Sequence, residues 1–458
     1  MKTASSRNRY TFGLGTIGRD MLFTLVSMYL MFYLTDVLEM SDTMLWWLTG
    51  ILLAARIFDA VNDPIMGVIV DNTHSRFGKF KPWIALGAVG TAIVTTLMFT
   101  DFGLKGAAFL VVFALIYVFW DLSFTANDIG YWSMLPSLSM DQKERERIGA
   151  FARICANIGM FAVVVLIVPV TGALSKSLGS MTKAYFVMTA VIALIMLAGQ
   201  CITLFGVKEF KGVFKQEQST SLKQLFTVIF KNDQLLYTVI SMALFMIGYT
   251  TTTSFGLYFF KYAYGDVGMY SIFALVLGIT QTIALLLFPI FSKWFSRKSL
   301  YTGSTVFVIL GYVVFFFSPM DMRYIGTAGV LIFLGQAFIQ LLMLMFLADT
   351  IEYGQWKLGK RNDSITLSLQ PFINKIGAAV ASGVVGATVI ISGISRASSA
   401  ADVTPEGLLT LKTAMLFLPL ALILIGYVIY RLKYKIDQKM FNDMVSDLQQ
   451  RGDINLGE

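Results

Sequence analysis

The chain has 458 residues, 56% of them hydrophobic and only 14% charged, with 36 Lys and Arg against 28 Asp and Glu for a net charge of +8. Soluble proteins carry about 25% charged residues, so a water-soluble fold is excluded, and apolar stretches recur at the length of about 20 residues that crosses roughly 30 Å of hydrocarbon. Two cysteines in different spans and a single histidine, His74 in a charged loop, leave no paired-thiol motif, no disulfide framework and no His/Cys metal centre.

Twelve membrane spans are predicted, at about 12–36, 45–70, 82–100, 107–136, 149–174, 184–206, 235–260, 268–291, 299–318, 325–349, 366–394 and 406–430. The first is too long for a signal-peptide core and no small-residue cleavage site follows it, so its removal is not expected. Its "GLGTIGRDMLFTLV" places Arg19 and Asp20 within a few turns of the end, where snorkelling to the surface competes with burial.

The second span contains "ARIFDAVNDPIMG". Arg56, Asp59 and Asp63 stack on one helical face at i, i+3 and i+7, with Asn62 adjacent. Each such charge at a helix centre costs roughly 2.5–3.5 kcal/mol. An arginine that neutralises one aspartate leaves a second carboxylate and an amide oxygen, hard ligands for Na⁺ or a site for a proton. An Arg–Asp pair beside a kink at Pro64 is the structural alternative, and it leaves the second carboxylate unexplained.

In the fourth span "FWDLSFTANDIGYW" sets Asp121, Thr125, Asp128 and Trp132 at steps of four, three and four, a single stripe. Carboxylates that accept from sugar hydroxyls, beside an indole for the sugar's apolar face, suit carbohydrate recognition. Trp120 and Phe124 of the same segment are counted with that substrate site. Arg153, just inside the fifth span, is placed to pair with Asp128 or to hold a hydroxyl. "SPMDMRY" separates the ninth and tenth spans, and "LQPFINKIGAA" buries Lys375 in the eleventh, where it balances aspartate charge or holds a ligand.

Of the 36 basic residues, 25 fall in the N-terminus, the tail from Arg431 and five connecting loops that all lie on one side. Cytoplasmic loops carry that excess, so both termini are expected in the cytoplasm, which requires an even number of spans. This asymmetry accounts for the net charge without nucleic acid: the basic loops read as topology determinants, with contact to membrane lipid as the alternative. A six-helix bundle at 1–206, a cytoplasmic loop at 207–234, a second bundle at 235–432 and a tail at 433–458 are predicted. The loop's "SLKQLFTVIF" reads as an interfacial amphipathic helix. "THSRFGKF" after the second span and "WFSRKSLY" after the eighth echo one another, as duplicated halves of a transporter do.

Together, "YLMFYLTDVL", "ARIFDAVNDPIMGVIVDNTHSRFGKFKPW", "NDIGYWSMLPSLSMDQKERERIGAFAR", "SLKQLFTVIFKNDQL" and "LADTIEYGQWKLGKRNDSITLSLQPFINKIG" resemble the glycoside–pentoside–hexuronide:cation symporters over nearly the whole chain. The resemblance implies an all-α membrane protein of the major-facilitator fold in a bacterial cytoplasmic membrane. Arg19–Asp20, "DAVNDP" and Lys375 look like the melibiose permeases, whereas "WDLSF" and "IEYGQWKLGKRNDSITLS" look closer to Gram-positive lactose and raffinose permeases. Relatives of that second type often carry a fused phosphotransferase-type domain, which these 458 residues do not include.

Carried over, the resemblance makes Asp59, Asn62, Asp63 and Thr125 a Na⁺ or H⁺ site. It makes Asp20, Asp128, Trp132 and Arg153, with Arg19 where a Lys is usual, a sugar site, to which Trp120, Phe124 and Gln340 are added. Arg56, Asp121 and Lys375 then form a charge network linking the two. Three positions depart from the pattern: Asp121 replaces a glycine of the melibiose type, Gln340 a sugar-contacting Trp, and Lys360 a His of the lactose type. Asp20 and Asp128 would repel a third carboxylate, which argues against hexuronides. The implied activity is cation-coupled import of a galactoside of melibiose, lactose or raffinose type by alternating access. A pentoside, xyloside or glucoside carrier of the same family and a non-transporting sugar sensor are the alternatives. No nucleophile–base set or HExxH-like pair points to an enzyme, and no cofactor beyond the coupling ion is implied.

Overall fold

The computed structural model describes residues 2–139, 141–208, 229–266, 268–394, 397 and 400–453. The side chains of residues 2–5, 35, 36, 42, 56 and 60 fall outside that description, so the expected role of Arg56 lies outside it too. Among the described residues the chain is helical, without strands. Helices α1 (Lys2–Thr24), α2 (Asp42–Asp71), α3 (Lys81–Met98), α4 (Gly106–Ser133), α5 (Gln142–Leu178) and α6 (Met181–Gly206) precede the central segment. Helices α7 (Asp233–Tyr258), α8 (Gly268–Trp294), α9 (Arg297–Phe317), α10 (Met322–Leu358), α11 (Asp363–Ile391), α12 (Pro405–Lys433) and α13 (Gln438–Gln450) follow it. The predicted interfacial helix falls at 221–230, of which 221–228 lie outside the described residues.

Short polar residues stop the apolar runs by satisfying helix N-termini. Asp141 accepts from the Lys143 amide at 3.0 Å, Asn232 from Leu235 at 3.0 Å and Ser296 from Ser299 at 3.2 Å. Asp321, in "SPMDMRY", accepts from Arg323 at 2.8 Å and opens α10, so the break expected there is present.

Among the described residues ten helices are long and apolar enough to cross a membrane, and α2, bent by 40° between Thr43–Asp59 and Val61–Asp71, makes an eleventh. The bend sits four residues before Pro64, whose ring crowds the carbonyl of residue 60 and removes one helix hydrogen bond. Where the sequence predicts a first span at 12–36, α1 carries Arg7, Arg9, Arg19 and Asp20, and its apolar continuation winds as π-helical turns at Leu25–Tyr29 and Tyr33–Val37. That departure from a regular apolar α-helix separates the observed count from twelve.

The described chain divides into two compact units, one of Met1–Leu225, Asn362–Ser368 and Gln449–Glu458, the other of Phe226–Arg361 and Leu369–Leu448. Within the first, α1 packs on α5 and α6, α3 on α4 and α6, and α2 on α4. Close approach of backbones makes this possible. A Cβ on Gly18 would sit 2.3 Å from the Met196 Cα on α6, and one on Gly159 of α5 would sit 2.2 Å from the Ile17 carbonyl oxygen. Within the second unit α10 packs on α8 and α9, and α12 on α7.

Candidate functional site

Arg19 is buried at 3% exposure, so it does not snorkel. Its Nη1 donates to Asp128 Oδ1 on α4 at 2.8 Å, and its Nη2 and Nε donate to Asp20 Oδ2 at 3.0 and 3.3 Å. One guanidinium thus orients two carboxylates from two helices, and a buried charge is tolerable only with such partners. Each carboxylate remains partly open, at 25% for Asp20 and 21% for Asp128. The Arg19 guanidinium also lies over the rings of Tyr131 and Trp132, at 4.9 and 5.4 Å.

Arg153 takes a different place from its predicted pairing with Asp128. Its guanidinium lies 4.6 Å over the Trp132 ring, in electrostatic range of Asp20 and Asp128, while Arg19 holds Asp128 directly. Trp132 therefore has a cation on its face, and two arginines balance two aspartates around it.

Trp120 and Phe124 stack at 5.5 Å with ring planes 13° apart, and Phe23 of α1 stacks on Phe124 at 5.1 Å. The Trp120 indole N–H is buried and has no hydrogen-bond partner among the described residues. It is a donor, and its neighbours in the stack are apolar rings. Asp121 is buried beside it, at 4% exposure.

Sequence reasoning passed over Phe23, although it lies three residues after Asp20 and so shares its face. It also passed over the clamp beneath the site. The Asn127 amide donates to the Ile84 carbonyl at 2.9 Å and to Gln200 Oε1 at 3.2 Å, and Gln200 Nε2 donates to the Gly15 carbonyl at 2.7 Å. Two amide side chains in otherwise apolar surroundings were the available signal. They tie α1, α3, α4 and α6 together next to Asp128. The Tyr131 hydroxyl adds a donation to the Phe12 carbonyl.

On α2, the Thr125 hydroxyl of α4 meets Asp59 Oδ1 at 3.5 Å. Asn62 and Asp63 are buried at 8% and 2%, and the Asn62 Nδ2 has no partner among the described residues. The donor set is two carboxylates, a hydroxyl and an amide oxygen, all hard oxygens of the kind alkali and alkaline-earth cations take. Among the described residues no cluster of three His, Cys, Asp or Glu side chains could hold a metal ion. Thr125 and Asp128 are three residues apart on α4, so Asp59, which meets Thr125, and Arg19, which holds Asp128, approach one helical turn.

Gln340 and Lys375 belong to the second unit, on α10 and α11. His74 is exposed, its Nδ1 3.0 Å from the Asn72 carbonyl, and both cysteines are free thiols.

Residues 11–438 match the family model described as MFS/sugar transport protein. The chain belongs to that family. It is 32% identical over 456 residues to the raffinose carrier protein of Pediococcus pentosaceus, covering 96% of this chain and 71% of that one. Against the lactose permease of Lactobacillus helveticus it is 32% identical over 463 residues, with the same coverage. Among solved structures it superposes on the Escherichia coli fucose:proton symporter with a TM-score of 0.68 at 12% identity, covering 94% of this chain and 98% of that one. The proton:xylose symporter XylE gives 0.64 at 12% identity, covering 97% and 99%. The fold is that of the major facilitators, and the protein is a multi-pass membrane transporter of the glycoside–pentoside–hexuronide:cation symporter type, not an enzyme.

Proposed function

We propose that the transporter imports a galactoside together with Na⁺ or H⁺ across a bacterial cytoplasmic membrane by alternating access. The observation that carries this reading is the Arg19 fork holding Asp20 and Asp128 open beside Trp132. Two carboxylates fixed a few ångströms apart accept from neighbouring hydroxyls of one sugar ring, while the indole covers its apolar face. The buried Trp120 N–H supplies a donor to a ring or glycosidic oxygen. The raffinose carrier and lactose permeases among the relatives support the galactoside class.

In this reading Asp59, Asp63, Asn62 and Thr125 hold the cation, and Asp121 adds to the charge around it. A cation drawn to Thr125 fixes the turn of α4 that presents Asp128, so cation and sugar affinities are coupled through one helix. Uptake of labelled melibiose, lactose and raffinose into proteoliposomes, with Na⁺, Li⁺ or a pH gradient imposed separately, tests the reading. Uptake indifferent to every cation overturns the coupling. A second reading, a pentoside carrier, has support in the isoprimeverose transporter of Lactiplantibacillus pentosus at 25% identity. Competition among galactosides and xylosides for the same uptake decides between them.

A further inference from the structure

In the second unit, helices α9 and α12 run antiparallel, and contacts toward both ends fix their register. The hydroxyls of Thr302 and Tyr427 share a hydrogen bond of 2.8 Å, and the Tyr301 ring meets those of Tyr427 and Tyr430 at 5.4 and 4.5 Å. Toward the other end, the Thr252 hydroxyl of α7 lies 2.6 Å from that of Tyr312 on α9 and 3.1 Å from the Met415 carbonyl of α12.

Lys298 stands one turn before Thr302, and Arg431 one turn after Tyr427, so helical spacing brings both cations to the same end of one seam. Lys293, near the end of α8, is five residues before Lys298. Other cations of this unit hold acids: Arg297 pairs with Asp349, Lys357 with Asp233 and Arg361 with Glu352. Lys293, Lys298 and Arg431 form no ion pair among the described residues.

The surroundings of these charges are those of a membrane interface. Trp294 and Leu432 are 75% and 72% exposed, and Val306, one turn past Thr302, and Val428, next to Tyr427, are exposed as well. A Cβ on Gly303 would meet nothing within 4 Å, so α9 is open beside the seam. An exposed indole marks the headgroup level, and basic pockets between helices attract anionic headgroups there. We infer that Lys298 and Arg431, with Lys293 beside them, bind the phosphate of an anionic phospholipid whose acyl chains lie along Val306 and Val428. Such a lipid brings the missing negative charge and covers the apolar flank in one molecule. A zwitterionic headgroup would set its own cation beside three others, and a free anion would leave the valines uncovered.

The purified full chain in detergent is titrated with dioleoyl phosphatidylglycerol or dioleoyl phosphatidylcholine, with and without inorganic phosphate, and bound lipid is counted by native mass spectrometry. Two double variants remove equal charge: Lys298→Gln with Arg431→Gln in the seam, and Lys435→Gln with Lys439→Gln in the tail. The expected result is a single phosphatidylglycerol per chain, held about tenfold more tightly than phosphatidylcholine and not displaced by phosphate. The seam variant loses that preference and the tail variant keeps it. Exchanging the two cations, Lys298→Arg with Arg431→Lys, also keeps it. Thermal unfolding without lipid is expected to match the parent throughout, since neither seam cation is paired. Equal binding of both lipids by the parent overturns the inference, as does a preference that survives in the seam variant. Equal losses in the seam and tail variants overturn it by making the attraction a matter of net charge alone. Displacement by inorganic phosphate overturns it by making the seam an anion site without a lipid.

Discussion

Arg19 is the residue on which the site turns, because removing it leaves two carboxylates facing each other. Asp128→Asn keeps the shape of one acceptor and removes its charge. A hydrogen bond to a charged group is worth about 1.5–3 kcal/mol, so sugar affinity is expected to fall roughly 10- to 100-fold. Calorimetry on the purified variant checks this, and parent-like affinity would remove Asp128 from the site. Asn62→Ala is expected to abolish Na⁺ stimulation of uptake while leaving uptake driven by a pH gradient. Full Na⁺ stimulation in that variant would exclude Asn62 as a ligand. The Asp121–Thr125–Asp128–Trp132 stripe was legible in the sequence because helical spacing alone puts those residues on one face. The partner of Arg19 was not, since Asp128 lies 109 positions away and only the packing of the helices decides which arginine it meets. Snorkelling of Arg19 and pairing of Arg153 with Asp128 were both chemically reasonable. Burial and the Trp132 face excluded them.

At the scale of the helix, α1 reaches the site only because its backbone lies against its neighbours. Gly18→Leu would drive a branched side chain into the α6 backbone at Met196. Sugar binding is expected to be lost even where the protein still inserts, and ligand-dependent thermal stabilisation measures that. The Gln200–Asn127 clamp makes a second test. Gln200→Leu removes the side-chain donor that reaches the Gly15 carbonyl, leaves the Asn127 amide without its Gln200 acceptor and breaks the link between α6 and α4. Stability is expected to drop by about 1–3 kcal/mol, together with sugar affinity, since the clamp sits one residue from Asp128. Unfolding curves with and without sugar separate the two effects. Helix existence and most boundaries were readable from apolar length, and so was the break at "SPMDMRY". The π-helical turns of α1 were not, because they reflect packing and carry no residue signature.

For the whole molecule, coupling between cation and sugar has to be reciprocal. The factor by which saturating Na⁺ tightens sugar binding is expected to equal the factor by which saturating sugar tightens Na⁺ binding. Two titrations on one preparation check it, and unequal factors would mean that the two ligands do not share a single equilibrium. The turn of α4 between Thr125 and Asp128 is the shortest covalent path for that exchange. The winding of α1 adds a constraint of another kind. Each π-helical turn closes its hydrogen bond one residue later than an α-helix does, so Leu25–Tyr29 amounts to a single inserted residue. Deleting Val26 would remove this turn, leave the one at Tyr33–Val37 in place, and rotate α1 by about 100° relative to the residues that follow it. Arg19 and Asp20 would then face away from Asp128 with every side chain of the site still present. The site therefore depends on the phase of one helix as much as on its composition, and one codon sets that phase.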